Sequence, residues 1–457
     1  MSQYYELDDT FGNGDGKAII DLMTGSQEYA YSIVIDNNEK IVVAGYIGNW
    51  PQKFAIIRLN KDGSFDTTFN SLGQTPGIRI LTEVNFTLAS SVAVDKVTNK
   101  IIVGGYGYDF SSGLVVNFIV IRLNTDGNLD TSFNSGSGVK IINISGSDRA
   151  YSVLVEDVTS KIFIAGYSDN GGGDDFVVVK LNTNGSYDTN FGDNGIKTIN
   201  IGHDNQAHSV LLDSNSKIVL SGYTTETTSI DRSFAIIRLD SSGNLDTTFN
   251  ETGTKTVNIA GTKYDDGNAA VIDSNNNIIV VGNVTTTSTN NDDIGVIKVK
   301  ENGEMDISFN GTGEIIIDIS GGTSDRAYAV VLDENEKIVI VGHSYVTSGN
   351  HDFAVVRLNT DGSRDTTFNV NGEMKIDIGV GTNDFGKGIV RDLSNNLLVA
   401  GWSNTYSTTK NDFVVIRLKD STPPTPPDNP EIILKIRGFR KTKPYEWLKR
   451  RYFTINQ

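Results

Sequence analysis

One unit recurs along this chain, and a chain built from copies of a unit folds by stacking those copies on one another. A D-x-[ST]-F signature or a close variant ends at Phe11, Phe69, Phe133, Phe191, Phe249, Phe309 and Phe368, a mean spacing of 59.5 residues. A second signature is a β-branched run closing on glycine, at Gly45, Gly105, Gly166, Gly222, Gly282, Gly342 and Gly401. A third is an FAIIRL-like segment with a cation near its end: Arg58, Arg122, Lys180, Arg238, Lys298, Arg357 and Arg417. Three signatures in fixed order, seven times over, define the architecture.

Each unit reads as four short strands, a to d. Strand a is AYSIVID (Ala30 to Asp36) and its equivalents, b ends on the glycine, c is the FAIIRL segment, and d follows the Phe signature, as in KAIIDL (Lys17 to Leu22). Val and Ile dominate, with turn residues between, which is strand chemistry. The spacing predicts an all-β, seven-bladed β-propeller of four-stranded blades. A β-solenoid is the alternative, but its rungs are shorter than this repeat. The first residue of strand a is Ala or Gly in all copies (Ala30 to Gly386), and the third is Ser, Ala or Gly (Ser32 to Gly388). Small side chains suit strands crowded around an axis. The Phe of each signature is expected to be a buried pin between blades. The preceding Asp (Asp66, Asp130, Asp188, Asp246, Asp306, Asp365) is expected to cap its own turn, with the strand-c cation as a candidate partner.

The seventh copy is split. Its strand c ends near Leu418, and the chain begins with a strand d that follows no c, at Leu7 to Phe11. The N-terminal strand is therefore expected to complete the last blade and close the ring, which removes open sheet edges. The boundaries are a propeller at 1–420, a Pro-rich linker at 421–430 and a basic aromatic tail at 431–457. The linker holds five of the eight prolines.

The combined pattern LDTTFN, KIVVAG and FAIIRLN, over about residues 7 to 418, resembles the delta-60 repeat β-propeller family, a domain of unknown function. The resemblance implies the fold and a structural role for the signature residues. It implies no defined activity.

Function is less legible. The net charge of −17 argues against the body gripping a phosphate backbone. No apolar run is long enough for a membrane helix, and the first residues lack the makeup of a secretion signal. With no cysteine there is no disulfide and no thiol chemistry. His203, His208, His343 and His351 fit no metal-ligand spacing, and no nucleophile-elbow, P-loop or dinucleotide motif occurs. Turns such as Asn124 to Asp130 faintly resemble calcium loops but lack the closing glutamate. The expectation is a chain that is not an enzyme, with no cofactor and no metal.

Loops between strands b and c vary from copy to copy, and variable loops on a rigid scaffold are the usual carriers of function. Their aromatics, Trp50, Tyr106, Tyr108, Tyr223, Tyr345, Trp402 and Tyr406, are candidate binding residues for protein or glycan. The tail carries eight Lys or Arg against two Glu, and Arg437, Arg440, Lys441, Lys443, Trp447, Lys449, Arg450 and Arg451 form a candidate anchor. It could dock a protein assembly, nucleic acid or an anionic membrane. The leading expectation is a non-catalytic scaffold tethered by its tail to a cell surface or virus particle. A lectin-like propeller is the alternative, and an enzyme with an axial site a further one.

Overall fold

The computed structural model describes residues 4–421, apart from 50, 83, 85–86, 110–114, 227–230, 262–263, 286–290, 322, 347–348, 370 and 405–409. They form seven antiparallel sheets arranged as a propeller. Blade 1 contains strands a (Glu28–Ile35), b (Ile41–Ile47), c (Lys53–Leu59) and d (Ile78–Ile80), and blades 2 to 6 repeat this order. The strand-a segments touch their neighbours around the whole ring, the last (Asp384–Arg391) meeting the first, so strand a is innermost. Among the described residues no helix is long and apolar enough to cross a membrane.

The ring closes as the split repeat predicts. Lys17–Ile20 pairs with Phe413–Ile416 of the final strand c. A further strand, Tyr4–Leu7, pairs with Leu418–Ser421. Ring closure thus joins the two ends of the propeller by strand pairing, to which the Arg417–Asp8 and Lys419–Asp9 ion pairs add.

What holds one blade to the next is a repeated latch. Phe69, Phe133, Phe191, Phe249, Phe309 and Phe368 are fully buried. Each ring lies beside the following blade. Phe69 packs in the cluster that holds Ala89 and Ile121 of blade 2. There it abuts Gly127 in the next c–d turn, where a Cβ would fall 2.8 Å from the ring. That glycine also sits at φ +85, a left-handed conformation costly for other residues. Arg58 lies over the Phe69 ring at 4.8 Å. Its Nε donates to Asp66 Oδ2 at 2.8 Å, and its Nη1 to the Thr125 carbonyl of blade 2 at 2.5 Å. Asp66 Oδ1 accepts from the Thr68 amide and hydroxyl. So the Asp both caps its turn and takes the strand-c cation, as the repeat suggests. Arg122–Asp130, Arg238–Asp246, Arg357–Asp365 and Arg417–Asp8 repeat the pair at 2.6–2.9 Å. Lys180 and Lys298 stand 3.7 and 3.9 Å from Asp188 and Asp306.

Asp8, Asp66, Asp130, Asp188, Asp246 and Asp365 sit low on the pH scale. Burial pushes Asp365 up, but hydrogen bonds from Lys337 and Thr367 and the charge of Arg357 outweigh it and hold the carboxyl at about 2. The last junction differs from the rest. Blade 7 has no c–d turn of its own, and Tyr5 fills the place beside Phe368, ring centroids 5.5 Å apart. Its hydroxyl donates to the Asn395 carbonyl at 3.1 Å.

Small strand-a residues do more than avoid crowding. Ser32, Ser91 and Ser152 accept from the amides of Val92, Val153 and Val210 on the next strand a at 3.1–3.2 Å.

The latch predicts that Phe191→Ala, which empties the contact with Phe163 and Gly243, costs about 3–5 kcal/mol. Denaturant unfolding of the full chain measures it. A cost below about 1 kcal/mol would mean that the ring does not lock the blades.

Candidate functional site

The signature glycines have a definite structural cause. In every blade the a–b register slips by one residue between the two small positions of strand a, as between Ala30 and Ser32 and between Ala150 and Ser152. The bulge drives the carbonyl before the first small residue onto strand b. A Cβ on Gly45 would lie 1.9 Å from the Tyr29 oxygen, on Gly166 1.9 Å from that of Arg149, and on Gly342 1.7 Å from that of Arg326. Only glycine leaves room for the bulge.

A β-bulge re-aims one side chain out of the pleat. Here it does so seven times, at Tyr31, Ser90, Tyr151, His208, Asn268, Tyr328 and Lys387, all half-buried at the innermost strand. Residues just before the bulge (Tyr29, Arg149, Gln206, Asp266, Arg326, Phe385) and just after the strand-b glycine (Tyr46, Tyr106, Tyr167, Tyr223, Asn283, His343, Trp402) surround them. The result is an axial rosette whose chemistry changes from blade to blade while the scaffold stays constant.

The rosette has two aromatic arcs. In one, Tyr328 stacks on His343, His343 meets Phe385, Phe385 stacks on Trp402 at 4.1 Å, and Trp402 meets Tyr29. Tyr29 stacks on Tyr46. In the other, Tyr106 meets Tyr151, Tyr151 meets Tyr167 and His208, and His208 meets Tyr223. Blade 5 interrupts them with Asp266, Asn268 and Asn283. Lys387 belongs to the first arc, with Nζ 3.1 Å from the Tyr328 ring centre and 5.9 Å from that of Tyr31. Arg149 belongs to the second, over Tyr106 at 5.3 Å.

Two cations of the rosette are neutralised: Arg232 by Asp266 at 2.8 Å and Arg326 by Asp292 at 2.5 Å. Lys387 and Arg149 make no salt bridge among the described residues. Burial, reinforced by the Arg326 charge, lowers the Lys387 ammonium to about 7. Burial also lowers His208 and His343 and keeps them neutral, and it pushes the Tyr31 phenol up to about 12. At neutral pH the rosette is tyrosine-rich, with uncharged imidazoles, one permanent unpaired cation and one cation poised to titrate.

The candidate binding residues fall unevenly. Tyr106 and Trp402 lie in the rosette, and both are half-buried. Tyr223 is there too, but only 4% exposed, its ring covered by Arg232 at 4.2 Å, so it is a strand residue and not an exposed loop aromatic. Tyr108 and Tyr345 stand at the outer ends of strand b, Tyr345 against His351. Trp50 and Tyr406 lie outside the described residues, as do Arg437, Arg440, Lys441, Lys443, Trp447, Lys449, Arg450 and Arg451. In the c–d turns, Asp62 and Asp126 accept hydrogen bonds from their own turns. The bulge residues were not singled out from sequence. Their signal was the one variable position between two small ones.

A family model described as a β-propeller domain of unknown function (DUF5122) matches residues 37–69, 98–133, 160–191, 214–249 and 335–368. Five of the seven repeats match that family's model. The expected family of undefined activity is thereby borne out. No curated protein matches the sequence. Among solved structures the chain is similar to a protein of unknown function from Dyadobacter fermentans, at 12% identity over 89% of this chain and 98% of that one, TM-score 0.51. It is also similar to a polysaccharide lyase of the PL25 ulvan lyase family, at 11% identity over 84% and 90%, TM-score 0.47. A third is an α-L-arabinofuranosidase from Fusarium graminearum, at 10% identity over 91% and 98%, TM-score 0.42. At these identities the likeness shows the fold.

Enzymes occur among solved structures of this fold, and the expectation that this chain is not an enzyme is withdrawn. That expectation rested on missing local motifs. A propeller assembles its axial groups one blade at a time, about a repeat apart, so a local motif is the wrong thing to seek.

If the bulge is what demands glycine, Gly166→Ala must push the Arg149 carbonyl away and cost about 1–3 kcal/mol, the usual penalty of overpacking. Equilibrium unfolding tests this, and a neutral substitution would contradict it.

Proposed function

We propose that the axial rosette binds an acidic carbohydrate. One observation carries this: in a chain with a net charge of −17, Lys387 and Arg149 stand on the innermost strands with no salt bridge among the described residues, each against tyrosine rings. Unpaired cations in an acidic protein suit an anionic group such as a uronate or a sulfate. Flanking aromatic faces suit the C–H faces of a sugar ring, and their hydroxyls its polar edge. The candidate residues Tyr106 and Trp402 fit this reading as walls of the site.

Lys387 supports a second reading, turnover of the same ligand. A group titrating near neutrality can take and return a proton, and the Tyr328 and Tyr31 rings flank it. Product analysis after prolonged incubation with acidic oligosaccharides separates turnover from binding. The basic segment 431–457 is proposed as a separate tether, on its charge alone.

Binding of a polyuronate oligomer, followed by calorimetry, is expected to exceed that of a neutral glucan. Arg149→Ala and Lys387→Ala should each weaken it by about tenfold or more, the worth of a charge-assisted contact. The sign of the pH effect follows from the lysine. It is charged below about 7, so affinity should fall as pH rises through that value, and Lys387→Arg should remove the dependence. Equal binding of neutral and acidic oligomers would overturn the proposal.

A further inference from the structure

In five blades strand a opens with a buried acid, Glu28, Asp148, Asp265, Asp325 or Asp384, whose carboxylate caps the preceding d–a loop. Glu28 accepts from the Leu22 and Met23 amides at 2.8 Å. Asp325 and Asp384 do the same for Ile319 and Ile378. Around these caps the junctions differ. Between blades 3 and 4 the carboxylate of Asp175 receives amide donors, from Asn200 at 2.6 Å and Asn170 at 2.5 Å. At three junctions a trio of carboxylates stands instead: Asp21, Glu28 and Asp412; Asp293, Asp318 and Asp325; Asp352, Asp377 and Asp384.

The first trio straddles the seam of the ring. Asp21 follows the N-terminal strand, Glu28 opens blade 1, and Asp412 opens the last strand c. One oxygen from each lies within 4.8 Å of the others. Glu28 is fully buried and Asp412 only 5% exposed. Asp412 Oδ2 is buried with no hydrogen-bond partner. An orphaned carboxylate oxygen facing two more carboxylates asks for a cation or a proton. Lys410 is the cation whose field reaches Asp412, yet it makes no salt bridge there. The donor set is all oxygen, which excludes soft metals and suits a hard divalent ion of the calcium class, with waters completing the shell.

We propose that Asp21, Glu28 and Asp412 form a calcium-class cation site that fastens the seam of the propeller. The trio between blades 5 and 6 supports the same logic, since Asp325 Oδ1 is also buried without a hydrogen-bond partner among the described residues. The competing state is protonation. Burial, with the Asp21 and Asp412 charges adding to it, raises Glu28 to about 8, and burial with the Asp21 charge raises Asp412 to about 6. Without an ion, the folded state therefore keeps protons that the unfolded chain has lost, and stability falls as pH climbs from about 4.5 towards 8. A cation must displace those protons, so its binding strengthens over the same range.

The test uses the full chain, stripped with chelator, at pH 8. Equilibrium dialysis with calcium and the thermal unfolding midpoint are the readouts. Calcium is expected to raise the midpoint at pH 8 and to have little effect at pH 5. Asp412→Asn places the residue found at the equivalent position of blade 2, Asn117, and supplies an amide donor as Asn200 does. It should bind about one calcium ion fewer per chain and unfold at pH 8 no earlier than the stripped parent. Asp21→Asn, at an exposed position, should lower the calcium affinity about tenfold or more. Unchanged calcium stoichiometry in Asp412→Asn, or no calcium-dependent shift in the parent at pH 8, overturns the site.

Discussion

Blade-to-blade attachment rests on a cation that serves two blades. Arg58 saturates an aspartate in its own blade and a carbonyl in the next, and it lies flat on the phenylalanine that spans the gap. Neither half is sufficient by itself. Without Asp66 the buried guanidinium would keep only Asp36, 3.9 Å away, and without Arg58 the Asp66 carboxylate would lose its 2.8 Å ion pair. The same position, arginine in five blades and lysine at 180 and 298, recurs around the closed ring of seven sheets.

With the circle secured by the latch, the inner strand is free to carry variety. The bulge and its glycine form a fixed mount. Tyrosine, histidine, lysine, asparagine or serine can occupy it without disturbing the sheet. Constancy of Gly45, Gly166 and Gly342 and diversity of Tyr31, Tyr151 and Lys387 are two sides of one local geometry. The same division holds at the junction trios, where amide and carboxylate exchange places on an unchanged backbone.

How much could be read beforehand follows from range. Interactions within a repeat, or at one repeat's distance, leave a mark in every copy: the Phe pin, the turn aspartate, the strand-c cation and the split seventh blade were all legible. The rosette was not. Tyr151 and Lys387 are far apart in the chain, share no residue type and owe their orientation to a register slip whose only mark is one variable position between two small ones. Tyr223 misled in the other direction. An aromatic just after the strand reads as loop, yet Tyr223 continues the strand and its ring is covered by Arg232. Tyr5 was invisible as a replacement for the missing turn, because nothing else in the chain plays that part.

The pairing of Lys17–Ile20 with Phe413–Ile416 also orders events in time. During synthesis the first strand leaves the ribosome without a partner and must wait until the final one emerges. Six blades can assemble in succession, each as its own segment appears, while the opening residues remain a loose thread. The seventh forms last, in one step that draws both extremities together, and that step sets the moment at which the growing polypeptide becomes a closed body.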